Sequence, residues 1–577
     1  MLPVSKSLNS EGKYDIYPSL RINDNQIYTG FESLARKIKS YRNVTIDGYN
    51  GVFFDIFQVQ LDKILVKNGY RVSWKKTPDF YKPEGQILDI TAPFLGGDDP
   101  LFGKRTFLDL GDFFIAEKIK SVHPDEDSDI SILIGPGAAL ASWEGPLIYV
   151  DIPKNEIQFR SRAGSVSNLG VTDSSDPKKM YKCFYFVDWV VLNKHKKQIL
   201  PSIDIFVDGQ RPEMPVWMEG TTLRKSLLQM SRNVFRVRPW FEPGTWGGSW
   251  IKNNIAGLNK NVPNYAWSFE LITPENGLLI ESSSLLCEVS FDCLMYQHAE
   301  AVLGDCYREF GTDFPIRFDF LDTFDGGNLS LQCHPQPQYM KENFGEDFTQ
   351  EESYYILDTK DNAIVFLGFR DNIEPENFRR DLEESFNNNK VFDPDRYILQ
   401  HPVKKHDLLL IPYGTIHGSG KNNLVLEIST TPYIFTFKMY DWQRPDLDGK
   451  PRPLNIDRGM ANLFFDRKGD YVNSSLIARP ELIDQGPDWK IFHLLTHESH
   501  SYDVHRYHFQ SVIDIPTNNK CLVMSLTEGQ SIVIETMNGF KTAFCYAETF
   551  VVPAAVKNIR ITNKSTSGAV LVKAFMK

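Results

Sequence analysis

The sequence lacks what would tie it to a membrane, an oxidising compartment or a nucleic acid. No apolar run approaches the ~18 residues that a membrane helix needs; the richest, Phe184 to Leu192, is interrupted by Asp188. A membrane-spanning chain is thereby excluded. The seven cysteines (183, 287, 293, 306, 333, 521 and 545) are odd in number, scattered and without a Cys-x-x-Cys pair, which excludes a disulfide scaffold and fits reduced thiols. Positive charge is in deficit, 63 Lys and Arg against 74 Asp and Glu for a net −11, so neither nucleic acid nor an anionic membrane is an expected partner. The opening residues MLPVSKSLNSEGKYDIYP lack the basic start and apolar centre of a secretory signal. The cytoplasm is the expected compartment.

What is present is ordinary globular material in quantity. At 577 residues, 42% of them hydrophobic and 24% charged, the chain has the length of about three to five domains. Up to about residue 200, short β-branched or aromatic runs alternate with helix-length segments, the pattern of a parallel sheet with covering helices. VTID (44–47), YRVSW (70–74), SILI (131–134) and LIYVD (147–151) read as strands, and Val52 to Lys67 and NEIQFRSR as helices. In LPSIDIFVDGQRPEMP, two prolines beside a glycine mark a boundary. Beyond it short strands dominate, with one helical insert near 374–389 and a linker-like stretch at 470–488. The expected division is an α/β domain over 1–215, a β-rich domain over 216–480 and a small all-β domain over 485–577. DLLLIPYGTIH (407–417) and ETFVVPAAVKN (548–558) share an acid, apolar residues and a proline five positions on, a repeat that hints at two related barrels. Its last position is His417 in the first and Asn558 in the second.

Four polar residues form a chemically sensible set. In LSLQCHP, Gln332 and His334 are two apart and share one face of a strand that Pro335 ends. Glu352 starts the strand of EESYYIL, and His417 follows the turn in IPYGTIHG. An amide oxygen, a carboxylate and two imidazoles suit zinc or a similar divalent ion, and the alternative is hydrogen-bonded structural histidines. Five further histidines crowd HLLTHESHSYDVHRYH (493–508) and read as solvated or structural.

WGGSWIK (246–252), LSLQCHP, EESYYIL, LLLIPYGTIHG, LVLEIS and FKMYDWQR occur in this order. Together they resemble the type I mannose-6-phosphate isomerases, zinc-dependent cupin aldose–ketose isomerases, over about 235–577. The resemblance implies two cupin barrels, the first binding zinc through Gln332, His334, Glu352 and His417 and the second free of metal. It implies mannose-6-phosphate/fructose-6-phosphate interconversion or a related sugar isomerisation, with Glu427 of LVLEIS as the candidate for proton transfer. Two positions depart from the family. Lys438 stands where relatives carry an arginine, keeping the charge but losing the planar fork. Asp319, in FPIRFDFLD, stands where many carry a lysine, with Arg317 close by, and an acid there repels a phosphate.

The turn IDGYNGVFFD (46–55) is similar to a degraded phosphate-binding loop of nucleoside-kinase-like proteins. Val52 and Phe53 follow Gly51 where a working loop needs Lys and Ser or Thr, so no ATP is expected to bind. The fold expected is a P-loop-kinase-like α/β domain followed by two jelly-roll β-barrels. The activity expected is sugar isomerisation by Glu427 and Lys438 beside a zinc ion. A sugar-sensing or assembly protein that retains the metal cupin without turnover is the rival reading, and a bifunctional kinase–isomerase is a third.

Overall fold

The strands richest in β-branched residues form the centre of a seven-stranded sheet. The computed structural model describes residues 2–6, 12–360, 362–445, 449 and 452–577. In it Ile130–Ile134 and Ile205–Asp208 are buried along their whole length, and Asn43–Gly48 and Leu147–Asp151 at all but their first residue. This is what strands covered on both faces require. With Val72–Lys76 they make a five-stranded parallel core in which the first strand in sequence lies at the centre. Phe31, Leu34, Phe57, Leu61 and Leu65 of two helices cover one face, and Val187, Val191 and Leu192 belong to the core on the other. The helix read from Val52 starts at Phe54, because Gly51, at φ +95, leaves Val52 and Phe53 in the loop. Buried Arg160 donates to the Gly51 carbonyl at 2.8 Å and lies 4.1 Å from the Phe53 ring, so this turn offers a cation its carbonyl.

The break expected at 215 falls inside this sheet. Val216–Glu219 pairs antiparallel with Ile205–Asp208, and the helix Gly220–Met230 follows it. The glycine and prolines of DGQRPEMP make the turn of a hairpin, and local composition does not separate such a turn from a domain linker.

Two β-sandwiches follow. In the first, a six-stranded sheet packs on a five-stranded one through Leu321, Tyr354, Val425, Val365 and Leu367, which come from both sheets. The second has six- and four-stranded sheets with Phe509, Leu571, Ile534 and Ile561 between them. The two repeat segments take comparable places. Leu408–Ile411 is followed by a turn and His417–Ser419, and Thr549–Val552 by a turn and Asn558–Asn563. The expected helical insert is Pro375–Asn388. The stretch 470–488, read as a linker, instead holds a short helix, Asp470–Ser475, and an edge strand, Pro480–Gln485. All six residues of that strand are exposed, so it has no inward apolar row that sequence could reveal. Among the described residues no helix is long and apolar enough to cross a membrane.

One buried guanidinium ties the parts together. Arg236 pairs with Glu548 of the second sandwich at 2.5 Å and with Glu270 of the first at 3.4 Å, and donates to the Asp15 carbonyl at 3.0 Å. Arg236→Ala leaves two buried carboxylates without their cation and is expected to destabilise the protein by about 3–5 kcal/mol. Denaturant unfolding measures this, and a loss under about 1 kcal/mol would show that Arg236 does not hold the assembly.

Candidate metal centre and its cleft

The two sheets of the first sandwich bring the four sequence-predicted donors together. Gln332 lies directly opposite His417 in the five-stranded sheet, His334 follows just past the end of its strand, and Glu352 enters from the facing six-stranded sheet. Glu352 Oε2 is 2.9 Å from His334 Nε2 and Glu352 Oε1 is 2.9 Å from His417 Nε2. All three residues are buried. Each imidazole has its other nitrogen engaged: Nδ1 of His334 with the Phe435 carbonyl at 3.1 Å and Nδ1 of His417 with the Thr415 carbonyl at 2.9 Å. Carbonyls only accept, so both Nδ1 atoms donate, and both Nε2 atoms face the carboxylate. At that distance the three groups need positive charge between them, as protons on the two Nε2 atoms or as a metal ion. His334 Nε2 and Glu352 Oε1 are also buried without a hydrogen-bond partner, and the donor set fits a divalent metal. The Gln332 amide nitrogen lies 3.4 Å from His417 Nε2; a half-turn of that amide presents its oxygen instead.

The turn between Pro412 and His417 depends on one glycine. Gly414 sits at φ +75, where a Cβ would come within 2.7 Å of the Asn462 carbonyl, and its N–H donates to the His334 carbonyl at 2.8 Å. Gly414 thus links the turn carrying one imidazole to the backbone of the other.

Beside this cluster stand more carboxylates than cations. Asp319 lies opposite Glu427 across neighbouring strands, and Arg317 Nη2 reaches both at 3.4 Å. Burial raises Asp319 to about 7 against the pull of Arg317, with Glu352 adding to the rise. Burial, then Asp319 and Glu352, push Glu427 well above the usual carboxylate range. Burial raises Glu352 too, but the positive charge that His334 and His417 carry when protonated holds it well below that range. Ser429 donates to Glu427 at 3.0 Å, and Gln350 donates to Glu352 at 3.0 Å. Sequence reasoning missed Gln350, which lies two residues before the strand that Glu352 opens.

From the cluster a cleft of about 930 Å³ runs outward, lined by Glu352, Glu427, Lys438 and the ring of Trp240. Lys438 is opposite Gln332 in the register, so both sequence-predicted catalytic residues border the cleft with the metal cluster. The α/β domain lines it as well, through Gln158, Arg162 and Tyr181. Gln158 donates to Glu275 at 2.7 Å and Tyr181 at 3.3 Å, and the Tyr433 hydroxyl also donates to Glu275. No local motif announces these contacts between distant segments.

The histidine-rich stretch gathers one small group. His493 pairs with Asp503 at 2.8 Å, and His505 lies opposite His493 on the next strand. Lys573 lies opposite His505 in turn, and burial, then this lysine, lower His505 to about 4.

Asp319 yields a pH prediction. An acid raised in the fold from 3.8 to about 7 binds its proton more tightly folded than unfolded. Its contribution to stability is complete below about pH 4 and falls as pH rises toward 7. Asp319→Asn is expected to stabilise the protein at pH 8 by up to about 4 kcal/mol, with the gain fading toward pH 4. Thermal unfolding across this range checks it; a gain that does not vary with pH would overturn the assignment.

A family model described as a domain of unknown function (DUF8485) matches residues 30–232. It carries no assigned role, so the kinase-like likeness of that region rests on the sequence reading alone. "Probable mannose-6-phosphate isomerase GmuF" of Bacillus subtilis (strain 168) is 26% identical over 319 residues, 55% of this chain and 92% of that protein. The mannose-6-phosphate isomerase of Streptococcus mutans is 26% identical over 216 residues, 37% of this chain and 63% of that protein. The crystal structure of the Bacillus subtilis mannose 6-phosphate isomerase covers 59% of this chain and 99% of its own, with 19% identity and a TM-score of 0.47. The resemblance read from WGGSWIK, LSLQCHP and LLLIPYGTIHG is thereby borne out: over 55% of its length this chain is similar to isomerases that carry the mannose-6-phosphate name.

Proposed function

We propose that the protein is a zinc-dependent aldose–ketose isomerase of carbohydrate metabolism, working in the manner of mannose-6-phosphate/fructose-6-phosphate interconversion or on a related sugar. The observation that carries this reading is the buried Glu352 carboxylate between two imidazoles whose Nδ1 protons are both committed to carbonyls. His334, Glu352, His417 and the Gln332 amide would hold the ion, and the likeness to isomerases supports that role. We read the chain as a kinase-like α/β domain, a metal-binding cupin and a metal-free terminal cupin acting in the cytoplasm.

Zinc bound there would polarise sugar oxygens and stabilise negative charge that develops on them. The chain's own residue then carries the carbon-bound proton. Glu427, as carboxylate, takes the proton from C2 of the aldose, giving an enediolate; the C2 hydroxyl proton passes to O1, and Glu427 returns its own proton to C1. The C1 carbonyl becomes an alcohol and the C2 alcohol a carbonyl, with no external oxidant or reductant. Burial beside Asp319 and Glu352 raises the proton affinity of Glu427, which strengthens it as a base. Arg317 and Ser429 orient the carboxylate, and Lys438 supplies positive charge at the cleft wall.

Purified protein is expected to carry about one divalent ion per chain, with zinc preferred, because imidazole, amide oxygen and carboxylate suit that borderline cation. Elemental analysis of wild type and of His334→Ala with His417→Ala tests the site, which fails if zinc-loaded wild type holds no metal or the double variant holds as much. Lys438→Ala should lower kcat/KM at least tenfold, about 1.4 kcal/mol of transition-state stabilisation, while metal content stays near wild type. Lys438→Arg separates the substrates: a gain on phosphosugars supports a phosphorylated substrate, and no gain with preference for free aldoses supports a neutral one. Wild type that binds an aldose without turning any over would refute the isomerase reading.

A further inference from the structure

The inner face of the six-stranded sheet carries a graded row of side chains. Residues directly opposite one another on paired strands point to the same face, and the register runs Tyr354, Glu427, Asp319, Phe269, Trp240 across five strands. Glu352 and Trp267 lie two positions along their strands from this row and share its face. Acids therefore occupy the half of the sheet nearest the metal cluster, and aromatic rings the other half. Trp240 stacks on Phe269 at 4.0 Å, and the Trp267 ring lies within 15° of the Phe269 plane. Four strand spacings separate the Glu352 strand from the Trp240 strand, about 19 Å at ~4.8 Å each. That is longer than one hexose. The volume of about 930 Å³ likewise stands near the top of the roughly 300–1,000 Å³ range that pockets for drug-sized ligands span.

We propose that this cleft takes a reducing disaccharide or longer saccharide, its aldose end at the metal cluster and its next sugar unit on the Trp240–Trp267–Phe269 surface, with the α/β domain forming the opposite wall. The proposal rests on the sugar-isomerase reading and narrows its substrate. Flat aromatic faces carry negative potential and attract the C–H side of a pyranose ring. Hydrogen-bonding groups also stand without partners at both ends of the cleft: Gln350 Oε1 near the cluster, Thr245 Oγ1 and Trp240 Nε1 beside the aromatic surface. A chain of hydroxyls both donates and accepts, as such a set requires. Beside Lys178 and Lys438, the three arginines that line the cleft weigh toward a neutral far unit over a phosphate. Arg162 of the α/β domain faces Glu242 at 3.4 Å, Arg317 faces Asp319 and Glu427, and Arg452 faces Asp441 at 2.9 Å. A dianion would have to displace these carboxylates, whereas a hydroxyl accepts one N–H and leaves each pair intact.

The test follows loss of the C2 proton by NMR in D₂O with zinc-loaded full-length protein, using mannose, glucose, mannose 6-phosphate, mannobiose and cellobiose. At least one disaccharide is expected to have kcat/KM tenfold or more above its monosaccharide. Trp240→Ala should cut that ratio at least tenfold, while Trp240→Phe, which keeps a flat ring, retains most of it and controls for misfolding. Saturation-transfer NMR should show contact to the ring remote from the reducing end in wild type and lose it in Trp240→Ala. If a monosaccharide or mannose 6-phosphate is used as well as the disaccharides, or no disaccharide binds at millimolar concentration, the extended-substrate proposal is overturned and the isomerase reading stands. If a disaccharide binds through Trp240 but no aldose turns over, the isomerase reading falls and the saccharide site remains.

Discussion

A buried carboxylate held between two imidazoles is the constraint on which the first sandwich depends. Glu352 is 1% exposed, and removing an ionised carboxylate from water without compensation is prohibitive. Everything around it supplies that compensation. The Phe435 and Thr415 carbonyls fix the tautomers of His334 and His417, Gln350 donates to one oxygen, and the Gly414 N–H holds the backbone of one histidine to the turn of the other. A change at any of these positions acts through the geometry of the cluster, even where it touches none of the donor atoms.

The excess of acid beside the cluster gives the cleft its chemical direction. Asp319 and Glu427 share the single guanidinium of Arg317. Two carboxylates in one dry site cannot both ionise freely, so their proton affinities rise together. A carboxyl poised near neutrality is useful for carrying a proton between neighbouring carbons, and a surplus of negative charge is unfavourable to a phosphate. The same residues thus support the proposed reaction and weigh on its substrate.

The α/β domain is part of this arrangement through contacts of its own. Gln158 and Tyr181 meet Tyr433 at Glu275, and the Tyr433 ring lies 5.6 Å from the Arg317 guanidinium. A continuous set of contacts therefore joins the first domain to the acids of the second. Arg236 does the equivalent on the far side, where the opening segment and both sandwiches meet.

Local pattern alone determined much of this protein. Period-two alternation and apolar runs placed the strands at 44–47, 131–134 and 147–151 to within a residue or two of those found, because strand formation there follows from side chains that must be buried on both faces. The four candidate metal donors were legible because a proline after Gln-x-His and a glycine turn before His417 leave traces in the sequence. Tertiary structure alone decided the rest. The exposed strand Pro480–Gln485 exists through backbone pairing, which has no side-chain signature. DGQRPEMP joins two strands of one sheet, since turns and linkers draw on the same residues. The aromatic half of the cleft, the partners of Glu275 and the wall formed by Gln158, Arg162 and Tyr181 depend on register and packing between segments that are not neighbours in the sequence. Those distances are closed only by the folded chain.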